Sequence, residues 1–459
     1  MIGQKPREIA AEVLNQATAR GLSPYPAAAK PLTEVGSSEP NLYLESTRGG
    51  PFVEHLLDSA LKAARLTSAD RRLCQELVFG VIRWSATLDW LISQRTRQSP
   101  VLYLRNLLCL GLYQIFWLDR IPEHAAVNET VEMAKHSGLG AQAGFVNAIL
   151  RGYLREFQAT KARLSELKLS NPALGFSHPE WLVSRWQTQW DKQSVARLME
   201  WNNTPPATFA RVNLLKIEAG KLLSDWRNEG VDYQFVRHDW VDENLVFELK
   251  SHPPLRELPD FLQGSFYVQD PSTLLAVRLL APKPGEAILD LCAAPGGKLT
   301  YIAQLMRNQG SLVAYDPSAE RRKLIEENCT RLGVTCAEIV SSIPNSLARS
   351  GRFDRILIDA PCSNTGVMRR RVDLRWRIRL EEIERLRGIQ LQLLRQAALL
   401  LKPGGTLVYS TCSLEPEENR DVIRQFLRER NEFKVEAERQ VLPFVEGVDG
   451  AYAARLTPG

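Results

Sequence analysis

The sequence is poor in the residues that bind metal ions or form disulfide networks. Its 459 residues include six histidines, none of them after His252, and seven cysteines, no two of them in a Cys-x-x-Cys pair. A histidine-based hydrolase triad or a His-ligated metal built within the C-terminal part of the chain is therefore excluded, and zinc held by cysteine alone is disfavoured. An odd number of widely spaced cysteines argues against a disulfide framework and indicates a reducing compartment. We expect no metal.

Long hydrophobic runs are also absent. The most apolar segment, residues 106–118, is bounded by Arg105 and Asp119 and is too short to span a bilayer. The first residues lack the apolar core of a signal peptide. The net charge of +5 permits a polyanionic partner without requiring one. We therefore expect a cytoplasmic protein with no membrane contact.

The hydrophobic pattern changes twice along the chain and predicts three domains. Residues 1–156 have helical periodicity, interrupted by a Pro-, Ser- and Gly-rich stretch at 22–51 that we expect to be an exposed loop. Residues 157–261 combine a helix after Ser177 with short strands, which predicts a small α+β module. Residues 262–459 alternate strands and helices, so an α/β domain with a doubly wound parallel sheet is predicted there.

A glycine-rich loop follows the first predicted strand of the C-terminal domain. Small residues let a backbone approach a ligand closely, and Asp316, at the end of the next strand, is placed to accept ribose hydroxyls. The loop lacks the G-x-G-x-x-G order of a dinucleotide site and the order of a phosphate-binding P-loop. S-adenosylmethionine fits better, and an ordinary tight turn remains the alternative. The loop consists of Cys292, Ala293, Ala294, Pro295, Gly296, Gly297 and Lys298.

Two cysteines follow later strands of the same predicted sheet. Cys362 lies in Asp359-Ala-Pro-Cys-Ser and Cys412 in Ser410-Thr-Cys-Ser, at the sheet edge where open α/β sheets bind ligands. A thiolate can add to C6 of a pyrimidine and make C5 nucleophilic toward a sulfonium methyl group. Loss of the C5 proton and elimination of the thiol then release the 5-methylpyrimidine. Asp359 is the candidate to hold the N3/N4 edge of the base.

The residues alone leave two questions open. They do not rank the two cysteines, and a cysteine after a buried strand can also be an inert apolar side chain. The stretch between the cysteine motifs is either a solvated helix face or a surface that grips RNA phosphates and stacks a base. That stretch contains Arg369, Arg370, Arg371, Arg375, Arg377 and Arg379, interleaved with Leu374 and Trp376.

Several blocks resemble the Nol/Nop/Sun family of RNA (cytosine-5)-methyltransferases. They are residues 289–298, 359–363, 365–367 and 409–419, with further blocks at 211–213 and 266–272. Residues 1–156 resemble a NusB-type RNA-binding domain, with matching motifs at 107–118, 125–129 and 145–151. Ser342 stands where the family usually has an acid near the adenine.

The resemblance implies roles for the residues and a substrate. It implies that Cys412 is the nucleophile and that Cys362 assists product release. Residues 292–298, Asp316 and Asp359 would line the site of S-adenosylmethionine. The fusion with a NusB-like domain implies a single-stranded or loop cytosine of 16S ribosomal RNA as the substrate, and we expect a monomer. The alternatives are methylation of transfer or other RNA, and a catalytically idle RNA-binding factor in ribosome assembly.

Overall fold

The computed structural model describes residues 5–21, 52–342 and 351–459, so the predicted loop at 22–51 lies outside the described residues. The chain divides into two compact units. Among the described residues, the first unit comprises 5–21, 52–205 and 368–377, and the second comprises 206–342, 351–367 and 378–459.

The described part of the first unit is built from helices, as the periodicity of residues 1–156 predicts. Thr67 caps one of them, because its side chain accepts a hydrogen bond from the backbone N–H of Asp70. The predicted helix after Ser177 is Glu180–Gln187, and Pro179 is its N-cap. The α-helices are Pro6–Ala19, Val53–Ala63, Ser68–Arg83, Ser85–Ser93, Leu102–Trp117, Glu123–His136, Ala143–Arg155, Phe157–Ser170, Pro172–Gly175, Glu180–Gln187, Lys192–Asn202 and Leu374–Arg377, with a 3-10 turn at Gly140–Gln142.

The helices between residues 157 and 202 belong to the first unit. Thr87 donates a hydrogen bond to the carbonyl oxygen of Leu174 at 2.7 Å, and the backbone N–H of Ala86 donates to Ser177 Oγ at 3.0 Å. This packing places the division between the compact units after residue 205. The domain boundaries at residues 156 and 261 stay predictions.

Part of the arginine-rich stretch is buried within the first unit. The Arg375 guanidinium donates to the carbonyl oxygens of Ser177 at 3.1 Å and Asn202 at 2.9 Å, and the Trp376 indole donates to that of Ile82 at 3.0 Å. Helix C-terminal ends leave carbonyl groups without partners, and a guanidinium carries enough donors to satisfy several of them. Neither interpretation of this stretch, solvated face or RNA-gripping surface, is therefore correct for Arg375 and Trp376.

The second unit begins with a four-stranded antiparallel sheet of order β2-β3-β1-β4. Trp226 packs edge-on against Phe247 and Phe266 in its core, with ring centroids 5.8 and 5.4 Å away. The sheet and its helices confirm the predicted small α+β module. Its strands are β1 (Thr208–Val212), β2 (Asp232–Phe235), β3 (Val246–Ser251) and β4 (Phe266–Val268), and its helices are Ala219–Asn228 and Pro259–Gln263, with a 3-10 turn at Leu255–Glu257.

The remaining strands form a seven-stranded sheet of order β10-β11-β9-β8-β5-β6-β7. Strands β5 to β9 run parallel, as predicted, whereas β11 is antiparallel to both β9 and β10. A parallel crossover needs a dozen or more residues, and the connection at 442–450 is shorter than that. The expectation of a wholly parallel sheet is therefore wrong at this edge. The strands are β5 (Ala287–Asp290), β6 (Ser311–Tyr315), β7 (Ala337–Val340), β8 (Phe353–Asp359), β9 (Leu401–Thr411), β10 (Phe433–Val441) and β11 (Ala451–Pro458).

Helices cover both faces of this sheet, so its central strands are apolar on both sides. Along β8, Leu357 packs with one hydrophobic cluster, and Ile356 and Ile358 pack with another. In the parts of the chain that the structure describes, no helix is long and apolar enough to cross a membrane. The α-helices are Leu274–Leu280, Gly297–Leu305, Ala319–Leu332, Leu380–Leu400, Arg420–Glu429 and Pro443–Glu446, with 3-10 turns at Pro271–Thr273, Thr365–Val367 and Pro416–Glu418.

Candidate active site

The predicted site residues meet at the carboxyl edge of the parallel strands. The strand order reverses between β5 and β8, since the chain continues to β6 on one side and β9 follows β8 on the other. Such a switch point opens a crevice at the carboxyl ends of the strands. Asp290 ends β5, and Asp359, which ends β8, pairs in register with Ser410 of β9.

The structure brings the two cysteines together. The Sγ atoms of Cys362 and Cys412 are 3.4 Å apart, although 50 residues separate them in sequence. The Cys412 thiol donates a hydrogen bond to Asn364 Oδ1 at 3.1 Å, and the Asn364 amide nitrogen donates to the carbonyl oxygen of Cys362 at 2.6 Å. Asn364 has a φ of 60°, a left-handed conformation that asparagine tolerates better than most residues. The turn after Cys362 thereby aims its amide at the other thiol.

The environments of the two thiols differ. The hydrogen bond with Cys412, followed by burial and the nearby charge of Glu418, raises the pKa of the Cys362 thiol well above its ordinary value. Cys362 is buried, with 8% of its surface exposed, whereas Cys412 is half-buried. Cys362 therefore remains a protonated thiol at neutral pH, and Cys412 is the more accessible sulfur of the pair.

Lys298 forms an ion pair with Asp359 at this edge of the sheet. Its ammonium group donates to Asp359 Oδ2 at 2.7 Å, and Ser410 Oγ donates to the other Asp359 oxygen at 2.8 Å. Burial lowers the pKa of Lys298, but the charge and hydrogen bond of Asp359 outweigh burial, and the charge of Cys412 raises this pKa further. The Lys298 ammonium therefore lies within electrostatic range of Cys412.

The loop at residues 292–298 leads from the end of β5 into the following helix. Gly296 has a φ of 104° directly before the helix that begins at Gly297, so backbone N–H groups at this helix start lie at the carboxyl edge of β5. Burial raises the pKa of the Cys292 thiol well above its usual value, with smaller contributions from nearby acids. Cys292 is therefore a neutral side chain in this loop.

Acidic groups around the loop fit a cationic cofactor. Both carboxylate oxygens of the buried Asp290 lack a hydrogen-bond partner among the described residues. Burial, followed by the charge of Asp359, raises the pKa of Asp290 to about 7. Asp316 accepts a hydrogen bond from the Ser318 N–H at 3.0 Å and lies 3.4 Å from the Arg321 guanidinium. S-adenosylmethionine carries a sulfonium and an ammonium group, which suit an acidic edge with an unpartnered carboxyl.

Sequence reasoning missed two buried residues that shape the site. Arg211 of β1 donates to the Gly297 carbonyl oxygen at 2.8 Å and to Thr300 Oγ1 at 2.9 Å, which ties the small sheet to the helix after the loop. Glu418 accepts hydrogen bonds from the residues that follow both cysteines. Both residues lie in sequence blocks that resemble the Nol/Nop/Sun family, and this resemblance was the signal that could have identified them. Arg375 and Trp376, by contrast, belong to the first unit.

The fold and the site together define a Rossmann-like, S-adenosylmethionine-dependent methyltransferase. The sheet has a glycine-rich loop after its first parallel strand and acids at the ends of β5, β6 and β8. Matches to family models agree with this class. They are the 16S rRNA methyltransferase RsmB/F model at residues 277–457, the NusB family model at 4–155 and the ferredoxin-like domain of RsmF/B-like methyltransferases at 178–250.

The chain belongs to the RsmB/F family of methyltransferases. It is 35% identical over 432 residues to the probable ribosomal RNA small subunit methyltransferase B of Bacillus subtilis, covering 87% of this chain and 93% of that protein. It is 37% identical over 405 residues to ribosomal RNA small subunit methyltransferase B of Klebsiella pneumoniae, covering 85% and 91%.

Solved structures share the fold. The crystal structure of PH0851 has a TM-score of 0.73 with 23% identity and covers 99% of both chains. A methyltransferase homolog protein from Pyrococcus horikoshii has a TM-score of 0.55 with 32% identity, covering 62% of this chain and 97% of that one.

Proposed function

We propose that this protein methylates C5 of a cytosine in 16S ribosomal RNA through a transient bond between Cys412 Sγ and C6 of the base. The observation that carries the proposal is the pair of sulfur atoms 3.4 Å apart at the sheet edge that also holds the cofactor loop. Two observations support this substrate. The chain belongs to the RsmB/F family, and its relatives are named as ribosomal RNA small subunit methyltransferases. We also propose that residues 292–298, Asp316 and Asp359 line the methyl-donor site.

Four side chains of the site have a task in this reaction: Lys298, Cys412, Asp359 and Cys362. Cys412 Sγ adds to C6 of the cytosine as the nucleophile, and the Lys298 ammonium supplies positive charge nearby. Asp359, held by Lys298 and Ser410, faces the N3/N4 edge and promotes protonation there as the sulfur adds. When bound, S-adenosylmethionine supplies the methyl group that C5 takes. Cys362, kept as a thiol, assists the elimination that frees Cys412 and the product.

Methyl transfer to defined RNAs tests the proposal. The protein is incubated with S-adenosylmethionine that carries a labelled methyl group and with 16S ribosomal RNA from cells that lack this protein. The RNA is supplied both as free RNA and as small-subunit particles. Bisulfite sequencing then locates the product. We expect one methylated cytosine in 16S RNA. Methylation confined to transfer RNA would contradict the substrate, and no transfer to any RNA would favour an RNA-binding assembly factor without catalysis.

A further inference from the structure

A buried carboxylate joins the two loops that carry the cysteines. Glu418 is fully buried, and its side chain lies between Ser363 and Ser413, the residues that directly follow Cys362 and Cys412. We call Glu418, Ser363, Ser413 and Gln390 the carboxylate brace.

The brace holds both loops through one acceptor group. The backbone N–H of Ser363 donates to Glu418 Oε1 at 2.8 Å, and the Ser363 hydroxyl donates to Oε2. The Ser413 hydroxyl donates to the same Oε2 at 2.5 Å. Ser413 Oγ in turn accepts the N–H of Glu415 at 3.0 Å. Burial raises the pKa of Glu418 to about 7, although its hydrogen bonds with Ser363, Ser413 and Gln390 oppose this rise. In its ionised form, the carboxylate fixes these donors more firmly than a neutral group would.

The brace is anchored to the body of the second unit. Gln390, in the helix Leu380–Leu400, donates through Nε2 to Glu418 Oε1 at 3.1 Å and to the carbonyl oxygen of Pro361 at 2.9 Å. The Tyr409 hydroxyl donates to the backbone carbonyl oxygen of Glu418 at 2.6 Å. These hydrogen bonds hold the two cysteine loops in place relative to the helix Leu380–Leu400 and to strand β9.

We propose that Glu418 is a positioning residue, which holds the sulfur atoms of Cys362 and Cys412 at the spacing that lets both act on one base. This inference rests on the proposed function, because the spacing matters only if the two thiols serve one reaction. A displacement of about 1 Å between reacting groups can slow an enzyme by roughly a hundredfold. Glu418 does not touch the substrate in this proposal; it acts through Ser363 and Ser413.

The substitution Glu418→Gln weakens the brace with little change in volume. A carboxamide keeps one acceptor oxygen and replaces the other with a donor. That donor must face either the N–H of Ser363, which cannot accept, or the hydroxyl groups at Oε2, which would have to reverse from donating to accepting. Glu417→Gln, at the preceding half-buried position, is the matched control.

Two measurements test the brace in the full-length protein. The first is methyl transfer, for which Glu418→Gln should lower kcat roughly tenfold or more and leave the KM values for RNA and methyl donor near normal. The second is the rate at which diamide converts the two thiols into a Cys362–Cys412 disulfide. In that reaction diamide accepts two electrons and two protons, and peptide mass spectrometry follows the product. Looser loops should slow disulfide formation at least several-fold, while Glu417→Gln should match the unsubstituted protein in both measurements.

The outcomes separate the brace from the methylation reaction. If the unsubstituted protein methylates no RNA, the proposed function is wrong. If Glu418→Gln nevertheless slows disulfide formation, the role of Glu418 in spacing the two sulfur atoms still holds. An unchanged disulfide rate in Glu418→Gln would overturn the positioning role, whatever happens to kcat. If Glu418→Gln does not fold, Ser363→Ala and Ser413→Ala each remove one arm of the brace and should slow disulfide formation. Unchanged rates in both would overturn the inference.

Discussion

At the scale of single residues, the site depends on two sulfur atoms with different surroundings. Cys362 is buried, and its hydrogen bond to Cys412 raises its pKa, so it is suited to carry a proton. Cys412 is half-buried and more accessible than Cys362, so it is the sulfur that a base can reach more easily. These surroundings favour the same assignment of roles that the family resemblance implies.

Replacing Cys412 with alanine should abolish methylation. The change removes the sulfur that we propose attacks C6, while the core residues around the sheet and the glycine-rich loop are untouched. Methyl transfer to 16S RNA, circular dichroism and binding of S-adenosylmethionine measure the three expectations. Retained turnover in Cys412→Ala would refute its assignment as the nucleophile.

Replacing Cys362 with alanine should trap a covalent complex. Without the thiol 3.4 Å from Cys412, release of the methylated base slows and the protein stays joined to RNA. A denaturing gel with labelled RNA detects the complex. The double substitution of Cys362 and Cys412 is the control and should give no complex. Normal turnover of Cys362→Ala without a trapped complex would exclude a role in release.

The buried carboxyl of Asp290 should make stability depend on pH. Burial raises its pKa to about 7, above the value of roughly 4 in an unfolded chain. Between these values the folded state holds a proton that the unfolded state has lost, so stability falls as pH rises through this window and levels off above it. The full effect is roughly tenfold in the folding equilibrium per pH unit. Thermal unfolding from pH 5 to 8 should show a weaker pH dependence in Asp290→Asn than in the unsubstituted protein; equal dependence would contradict this.

At the scale of elements, the site depends on a close approach between two turns. The 3-10 turn Thr365–Val367 follows Cys362, and the Gly366 N–H donates to the Cys412 carbonyl oxygen at 2.9 Å. The Gly450 N–H, just before β11, donates to the Gly366 carbonyl oxygen at 2.8 Å. The residue that leads into the antiparallel strand β11 therefore helps to hold this turn in place beside Cys412.

Gly366→Ala should disturb the site through backbone contacts. A Cβ at this position would lie 2.7 Å from the Cys412 carbonyl oxygen and 2.8 Å from Gly450 Cα, so the turns must separate. We expect methyl transfer to fall by about tenfold or more. Gly388→Ala, in the helix Leu380–Leu400, meets no atom within 4 Å among the described residues and should stabilise by up to about 1 kcal/mol. Equal activity of the two variants would contradict the argument.

At the scale of the whole molecule, the chain crosses between its units more than once. Residues 368–377 belong to the first unit, although the residues on either side of them belong to the second. Val372 and Trp376 are part of the core of the helical unit. A fragment that ends at residue 205 would therefore lack side chains that its own core requires.

Arg375→Ala should destabilise the first unit. The change leaves the carbonyl oxygens of Ser177 and Asn202 without their guanidinium partner, and each buried unpaired group costs about 1–3 kcal/mol. Hydrogen exchange should quicken in the helices Ser68–Arg83 and Lys192–Asn202, while β8 keeps its protection. Arg379→Ala, in the second unit, is the control. Unchanged exchange in both helices would contradict the structural role of Arg375.

Much of the architecture could be predicted from local sequence patterns. The predicted alternation of residues 262–459 is present, for example in strand β6 and the helix Ala319–Leu332 that follows it, because alternation between apolar strands and amphipathic helices is a local property. The cysteine motifs and the glycine-rich loop were visible for the same reason. Their position at strand ends follows from how parallel strands are connected.

The sequence by itself determined the class of fold and the places of the glycine-rich loop and the two cysteines at strand ends, since each depends on residues adjacent in the chain. Only the tertiary structure decided the distance between the sulfur atoms, the brace around Glu418, the burial of Arg375 and the antiparallel edge at β11. Each of these depends on groups that are far apart in sequence, and their pairing is selected by the packing of the whole unit. In the sequence alone, a buried ionisable residue such as Glu418 or Arg375 cannot be distinguished from a surface residue, because its hydrogen-bond partners are distant in the chain.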